Sequence, residues 1–146
     1  MAATASAQLV TRYTAWGWTL DLDRLLARAR PKGRHSSWRR GDMEFGSPAI
    51  TSGISLIVAR GPSSRAHCRT IERFLNREVS FLNAVRRVLG PRDRSELSTT
   101  MHVEYPPAEG VQMTKLTVPP ALLRLAARRG VEWNMAVWQE ARKEPS

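Results

Sequence analysis

Residues 52–60, SGISLIVAR, lead through a GPSS turn into a helical period that runs to 89 and stops at Gly90-Pro91. This strand–turn–helix unit constrains the fold more than any other stretch. Ile54, Leu56, Ile57 and Val58 nearly fill the strand, the pattern of a strand flanked on both sides. In the helix Ile71, Leu75, Glu78, Leu82, Val85 and Leu89 recur at helical spacing, and Phe74, Phe81 and Val88 widen the stripe. An apolar strand beside a wide apolar stripe predicts a helix laid on a sheet, with Ile54, Leu56 and Val58 under Phe74, Leu75 and Leu82. Ser64 suits the helix N-cap, and Gly-Pro suits its end.

The rest of the chain supplies partners for that unit. Residues 9–20 are rich in β-branched and aromatic types and read as a strand, with Trp16 and Trp18 on one face by period two. Asp21 is placed to cap a short helix whose Leu22, Leu25 and Leu26 form the stripe, and Pro31 stops it. A polar, turn-rich segment, PKGRHSSWRRGD, precedes a short strand at 43–45. Residues 97–105 and 111–118 read as strands joined by a PPAEG loop. Pro119-Pro120 open a helix that Gly130 closes, and in the strand at 131–138 Val131, Trp133, Met135 and Val137 share a face.

The predicted order is β-α-β-β-α-β-β-α-β, a split βαβ core with a strand-strand-helix-strand extension. The expected fold class is α+β: a single mixed or antiparallel sheet with helices packed on one face. It would occupy residues 9–138, with a flexible tail at 1–8 and a frayed one at 139–146. A chain of 146 residues is the length of one ordinary domain.

SGISLIVA ahead of a long helix, Trp38 in a polar loop, and PPALLRLAARRGVEWNM near the end resemble the bacterial family catalogued as domain of unknown function 4279. The likeness spans roughly residues 9–138 and is one of apolar spacing. The family's Thr-rich turn after the first helix is missing here, and this chain is unusually basic. The family has no settled activity, so the resemblance implies the α+β fold and a non-enzymatic bacterial module.

Charge narrows the function further. The chain carries net +10 with a pI near 11.3. Residues 1–60 hold net +5, residues 61–96 net +4, and residues 97–146 only +1. A surface of that sign attracts anionic partners. Of 23 basic residues 20 are Arg, which makes forked contacts to phosphate and carboxylate; a GC-rich genome produces the same bias without function. The one cysteine, Cys68, excludes an internal disulfide framework, and a reducing cytoplasm fits it. The N-terminus lacks a secretory pattern, and no apolar run approaches the roughly 18 residues of a membrane span.

Two basic constellations stand out. From Arg24 to Arg40 there are seven positive groups and no acid, with His35 and Trp38 interleaved. Within it Arg34, Trp38, Arg39 and Arg40 are the expected contacts to a partner or a phosphate: arginines hold a backbone and an aromatic stacks on a base. The bland reading is a solvated loop whose Trp38 folds into the core. Arg65, Arg69, Arg73 and Arg77 recur every four residues, one slowly drifting helical stripe opposite the apolar one. Like charges so spaced repel by a few tenths of a kcal/mol per pair, roughly, so an anionic partner or a plain solvated face accounts for them.

Catalytic chemistry finds no comparable support. His67 and Cys68 are neighbours, and adjacent helical residues point about 100° apart, so base and nucleophile would not face each other. His35, His67 and His102 have no zinc-site spacing. No catalytic residue, metal or cofactor is implied. The leading expectation is a non-enzymatic basic module of a bacterial or phage cytoplasm that docks on an acidic protein partner, as a regulator, inhibitor or immunity-type factor. The other is a nucleic-acid-binding accessory domain that holds phosphates through the Arg-rich helix and loop.

Overall fold

The computed structural model describes residues 8–44, 46–105 and 115–141. The chain forms β1 (Gln8–Gly17), α1 (Leu22–Arg28), β2 (Ser36–Trp38), β3 (Met43–Glu44), β4 (Ser47–Pro48), β5 (Ser52–Gly61), α2 (Ser64–Arg77), α3 (Val79–Val88), β6 (Arg94–Tyr105), α4 (Pro120–Arg128) and β7 (Glu132–Ala141). Five strands make one mixed sheet in the order β2-β5-β1-β6-β7, and β3 and β4 form a separate small hairpin. β1 is antiparallel to both neighbours, β2 is antiparallel to β5, and β6 is parallel to β7.

β5 and β6 therefore run the same way with β1 between them and α2–α3 as their crossover, which is the split βαβ arrangement. α4 stands between β6 and β7 in the chain, and Leu122, Leu125 and Ala126 are its buried side. Along β1 the buried residues are Leu9, Thr11, Tyr13, Ala15 and Gly17, and the alternate positions are not. Tyr13 meets Phe74 of α2 and Phe81 of α3, with ring centroids 5.5 and 6.1 Å away. Ile54, Leu56 and Leu97 join the same core as the buried residues of all four helices. One face of the sheet is thus covered by helices, and the other carries Val10, Arg12, Thr14 and Trp16 of its middle strand.

The α+β class with one mixed sheet is the architecture expected from the sequence, and several details differ. The single helix of 65–89 is two, because the chain turns at Glu78. Its carboxylate is buried and accepts the Lys32 N–H at 2.8 and 2.9 Å and the Gly33 N–H at 3.4 Å. Glu78 thus ties the first loop to the helical layer instead of facing solvent. The cap of α2 is Ser63, whose side chain accepts from Ala66 N–H at 3.3 Å; Ser64 Oγ instead accepts from Thr117 N–H at 2.9 Å. Val58 is only half-buried: the β1–β5 register slips between Thr11 and Arg12, pairing them with Ala59 and Ile57 and leaving Val58 unpaired. This bulge returns Ala59 to the core and puts Ile57 on the open face.

The expected strand at 111–118 lies partly outside the described residues, and 115–118 have no regular structure. Both supposed tails shorten: Gln8 pairs with His102, and β7 continues through 139–141 beside Val103 to Tyr105. Residues 1–7 and 142–146 lie outside the described residues. Gly130 ends α4 with φ +71°, while its N–H reaches Ala127 O and the Val131 N–H reaches Ala126 O, both at 3.0 Å. That pair of bonds needs a left-handed residue, the reason glycine stands there.

Candidate anion-binding surface

α2 buries His67, Cys68, Ile71, Phe74 and Leu75, which obliges the opposite side to face water. Arg65, Arg69, Arg73 and Arg77 are all on that exposed side. The four Cα positions span about 18 Å along the helix and drift by about 120° around it. Two ion pairs occur among the described residues, Arg39–Asp23 and Arg94–Glu132, and neither involves this stripe. Glu72 is exposed on the same helix without pairing with any of the four. At the C-terminal end the Arg77 guanidinium rests against Gly33, where a Cβ would come within 3.1 Å of it.

The loop residues have other employment. The Trp38 ring lies on Gly53, whose added Cβ would fall 2.3 Å from Cζ2, and its Nε1–H donates to Thr51 Oγ1 at 3.4 Å. Glycine at 53 is what lets the indole sit against the strand backbone. Arg39 holds Asp23 at 2.6 Å; this hydrogen bond and the charge of Arg39 keep the Asp23 carboxyl below its ordinary range. The Arg39 N–H donates to Asp42 Oδ2 at 2.7 Å, and the Arg40 N–H to Ser52 Oγ at 2.9 Å. Trp38, Arg39 and Arg40 thus pin the loop to the sheet and set the β3–β4 hairpin. Arg34 is exposed and lines a cavity on the open face of the sheet with Arg12 and His35.

The structure brings Arg77 beside the 32–33 backbone and Arg34 beside Arg12. Arg12 escaped the sequence reading because its neighbours come from other strands. Its one local signal is an alternating, outward position between Thr11 and Tyr13.

His67 and Cys68 are buried and point to different partners. His67 Nε2 lies 2.6 Å from Thr11 Oγ1, which is 2.7 Å from Thr99 Oγ1, and Trp133 Nε1–H donates to Thr99 Oγ1 at 2.8 Å. His67 Nδ1 is buried without a hydrogen-bond partner among the described residues. Burial lowers the His67 pKa from its ordinary value, since the charged imidazolium would lose hydration there. The Cys68 thiol donates to Thr117 O at 3.5 Å, and burial raises its pKa, which keeps it a thiol and a poor nucleophile. Tyr13 donates to or accepts from Ser95 Oγ at 2.7 Å, and its burial pushes the phenol far up.

Among the described residues no three His, Cys, Asp or Glu side chains are grouped to hold a metal ion, and no helix is long and apolar enough to cross a membrane. No family model, curated protein or solved structure gives a significant match to this chain.

Proposed function

We propose that this chain is a non-enzymatic binding module that docks the arginine face of α2 on an acidic protein surface, as a regulator, inhibitor or immunity-type factor in a bacterial or phage cytoplasm. The observation that carries the reading is the exposed row Arg65, Arg69, Arg73 and Arg77, with no carboxylate of the described residues paired to any of them. A helix holds the four Cα positions at a fixed spacing, so a surface presenting carboxylates at matching intervals meets them at the cost of ordering the four side chains. Trp38 argues for a protein partner over a base-stacking one, since its ring is already seated on Gly53.

Nucleic acid is the second reading, favoured by the open sheet face. Trp18 is 47% exposed, its ring 5.9 Å from that of Trp16, and Arg12 stands on the same side of β1 as Trp16. Aromatic and basic groups on an uncovered sheet can hold a single strand.

Fluorescence anisotropy against labelled polyglutamate and labelled DNA, single- and double-stranded, decides between them. At roughly 0.15 M salt the protein should bind polyglutamate and leave DNA unbound, and the Arg69→Glu/Arg73→Glu variant should lose the polyglutamate complex. Single-strand binding with a log–log salt slope of about −3 to −4 would signal four to six phosphates neutralised and would favour the second reading. Unchanged binding by the double reversal would make the stripe an ordinary solvated face.

A further inference from the structure

The cavity on the open sheet face lies outside the α2 stripe and owes nothing to the docking reading above. It has a volume of about 290 Å³ and is lined by Arg12, Arg34, His35, Ser36, Ser55 and Ile57. We propose that it is a binding site for the phosphate group of a small phosphomonoester.

Its construction follows from the fold. β2 covers the edge of β5 only from Gly53 to Ser55, its three residues pairing Ser36 with Ser55, Ser37 with Ile54 and Trp38 with Gly53. The residues that lead into it, Arg34 and His35, therefore come alongside the next part of β5, and the cavity lies between them and the sheet. The bulge at Thr11/Arg12 sets Arg12 opposite Ile57, so a cation in the middle strand and an apolar side chain share the wall.

The lining is matched to an anion. Among the described residues it offers two guanidinia, an imidazole and two hydroxyls, and no carboxylate. Arg12 stands opposite Ile57 on β5 and Ser98 on β6, so neither cross-strand partner neutralises it. Among the described residues its one side-chain hydrogen bond, from Nη1 to Ser55 Oγ, is long at 3.5 Å. A guanidinium has five N–H donors, and most of those of Arg12 remain for a ligand. His35 Nδ1 lies 3.3 Å from Gly33 O, which can only accept, so Nδ1 carries the proton; on the neutral ring Nε2 is then an acceptor, and the donors for an anion are the two guanidinia and the two hydroxyls. Two like charges on one small cavity repel unless an anion lies between them.

Size and charge select the ligand class. Cavities for drug-sized molecules begin at about 300 Å³, so this one takes a phosphate and a few further atoms. Two fixed positive charges suit a dianion better than a carboxylate, and the forks of Arg12 and Arg34 match tetrahedral phosphate oxygens.

The test is an amide NMR titration of the full chain with inorganic phosphate, glycerol 3-phosphate and acetate, with calorimetry for affinity. Both phosphates should saturate, with the largest shifts at residues 12, 34–36 and 55, and acetate should bind more weakly by about tenfold or more. Arg12→Gln and Arg34→Gln should each weaken glycerol 3-phosphate about tenfold or more, whereas Arg69→Gln on α2 should leave it unchanged. A dinucleoside monophosphate without a terminal phosphate separates the sources: equal or tighter binding would replace a monoester with a nucleic-acid backbone and overturn the proposal. Non-saturating shifts, shifts centred on α2, or both cleft variants retaining full affinity would overturn it as well. Because the α2 reversal and the cleft variants touch different residues, this site and the docking face can fail separately.

Discussion

The loop from Lys32 to Arg40 and the outer face of α2 are both rich in arginine, yet their side chains meet different surroundings. In the loop Trp38 is seated on Gly53, Arg39 is paired with Asp23, the backbone N–H groups of Lys32, Gly33 and Arg40 donate to side chains of α2–α3 and β5, and that of Arg39 donates to nearby Asp42. On α2 the arginines are exposed and unpaired with any carboxylate of the described residues, with Arg77 resting against Gly33, because the helix buries its opposite side. A polar segment without regular structure must satisfy its backbone through tertiary contacts, whereas a helix satisfies its own and leaves its outer side chains for other uses. Equal charge density therefore carries different meaning in the two places.

The sharpest way to break this comparison is at Glu78. Glu78→Ala removes the acceptor of the Lys32 and Gly33 N–H groups and should cost about 2–4 kcal/mol in denaturant unfolding. Glu72→Ala, on the exposed side of the same helical layer, should stay within about 0.5 kcal/mol. Equal effects would mean that the loop is not held in the way described.

Trp38 comes next. Trp38→Ala should cost about 2 kcal/mol, less than a fully buried aromatic because the ring is half-exposed. Gly53→Ala places a methyl 2.3 Å from that ring and 2.9 Å from Ala15 O, and should cost about 1–3 kcal/mol. The double variant should lose less than the two single losses together, since removing the ring relieves part of the clash. Strict additivity would show that the indole is not on Gly53.

A smaller effect should appear on acidification. The folded His67 pKa is below its ordinary value of 6.5 because of burial, so the unfolded chain takes up the proton first. The stability this group contributes is full above the unfolded value and declines as pH falls through it towards the folded one. Unfolding midpoints taken from about pH 7 to pH 5 should fall, and His67→Gln should flatten that slope whatever it does to absolute stability. A slope unchanged by the substitution would assign the acid sensitivity to other groups.

The smallest effect belongs to the stripe. Arg69→Glu or Arg73→Glu should leave the unfolding free energy within about 0.5 kcal/mol, or raise it slightly as like-charge repulsion is relieved. A large loss in either would mean that the stripe serves the fold and is not a free surface.

Periodicity and charge are local properties, and these the sequence determined by itself. The apolar run at 52–60, the stripe of α2 and α3, the Pro-to-Gly bounds of α4 and the net charge of +10 all followed from neighbours a few positions apart. The α+β class came with them, since such elements bury their apolar sides only by stacking helices on a sheet. What lay beyond reach depends on residues far apart in the chain. Glu78 reads as one more position in a helical stripe until Lys32, 46 residues earlier, brings its N–H to the carboxylate. The pairing of Arg39 with Asp23 and the seat of Trp38 on Gly53 require the loop to fold back on α1 and β5. The meeting of Arg12 with Arg34 needs both a strand register and a bulge. Hydrophobic period is written into each segment by its own side chains, but the partner of a polar group is set by which segments the finished sheet brings together, and only the tertiary structure decides that.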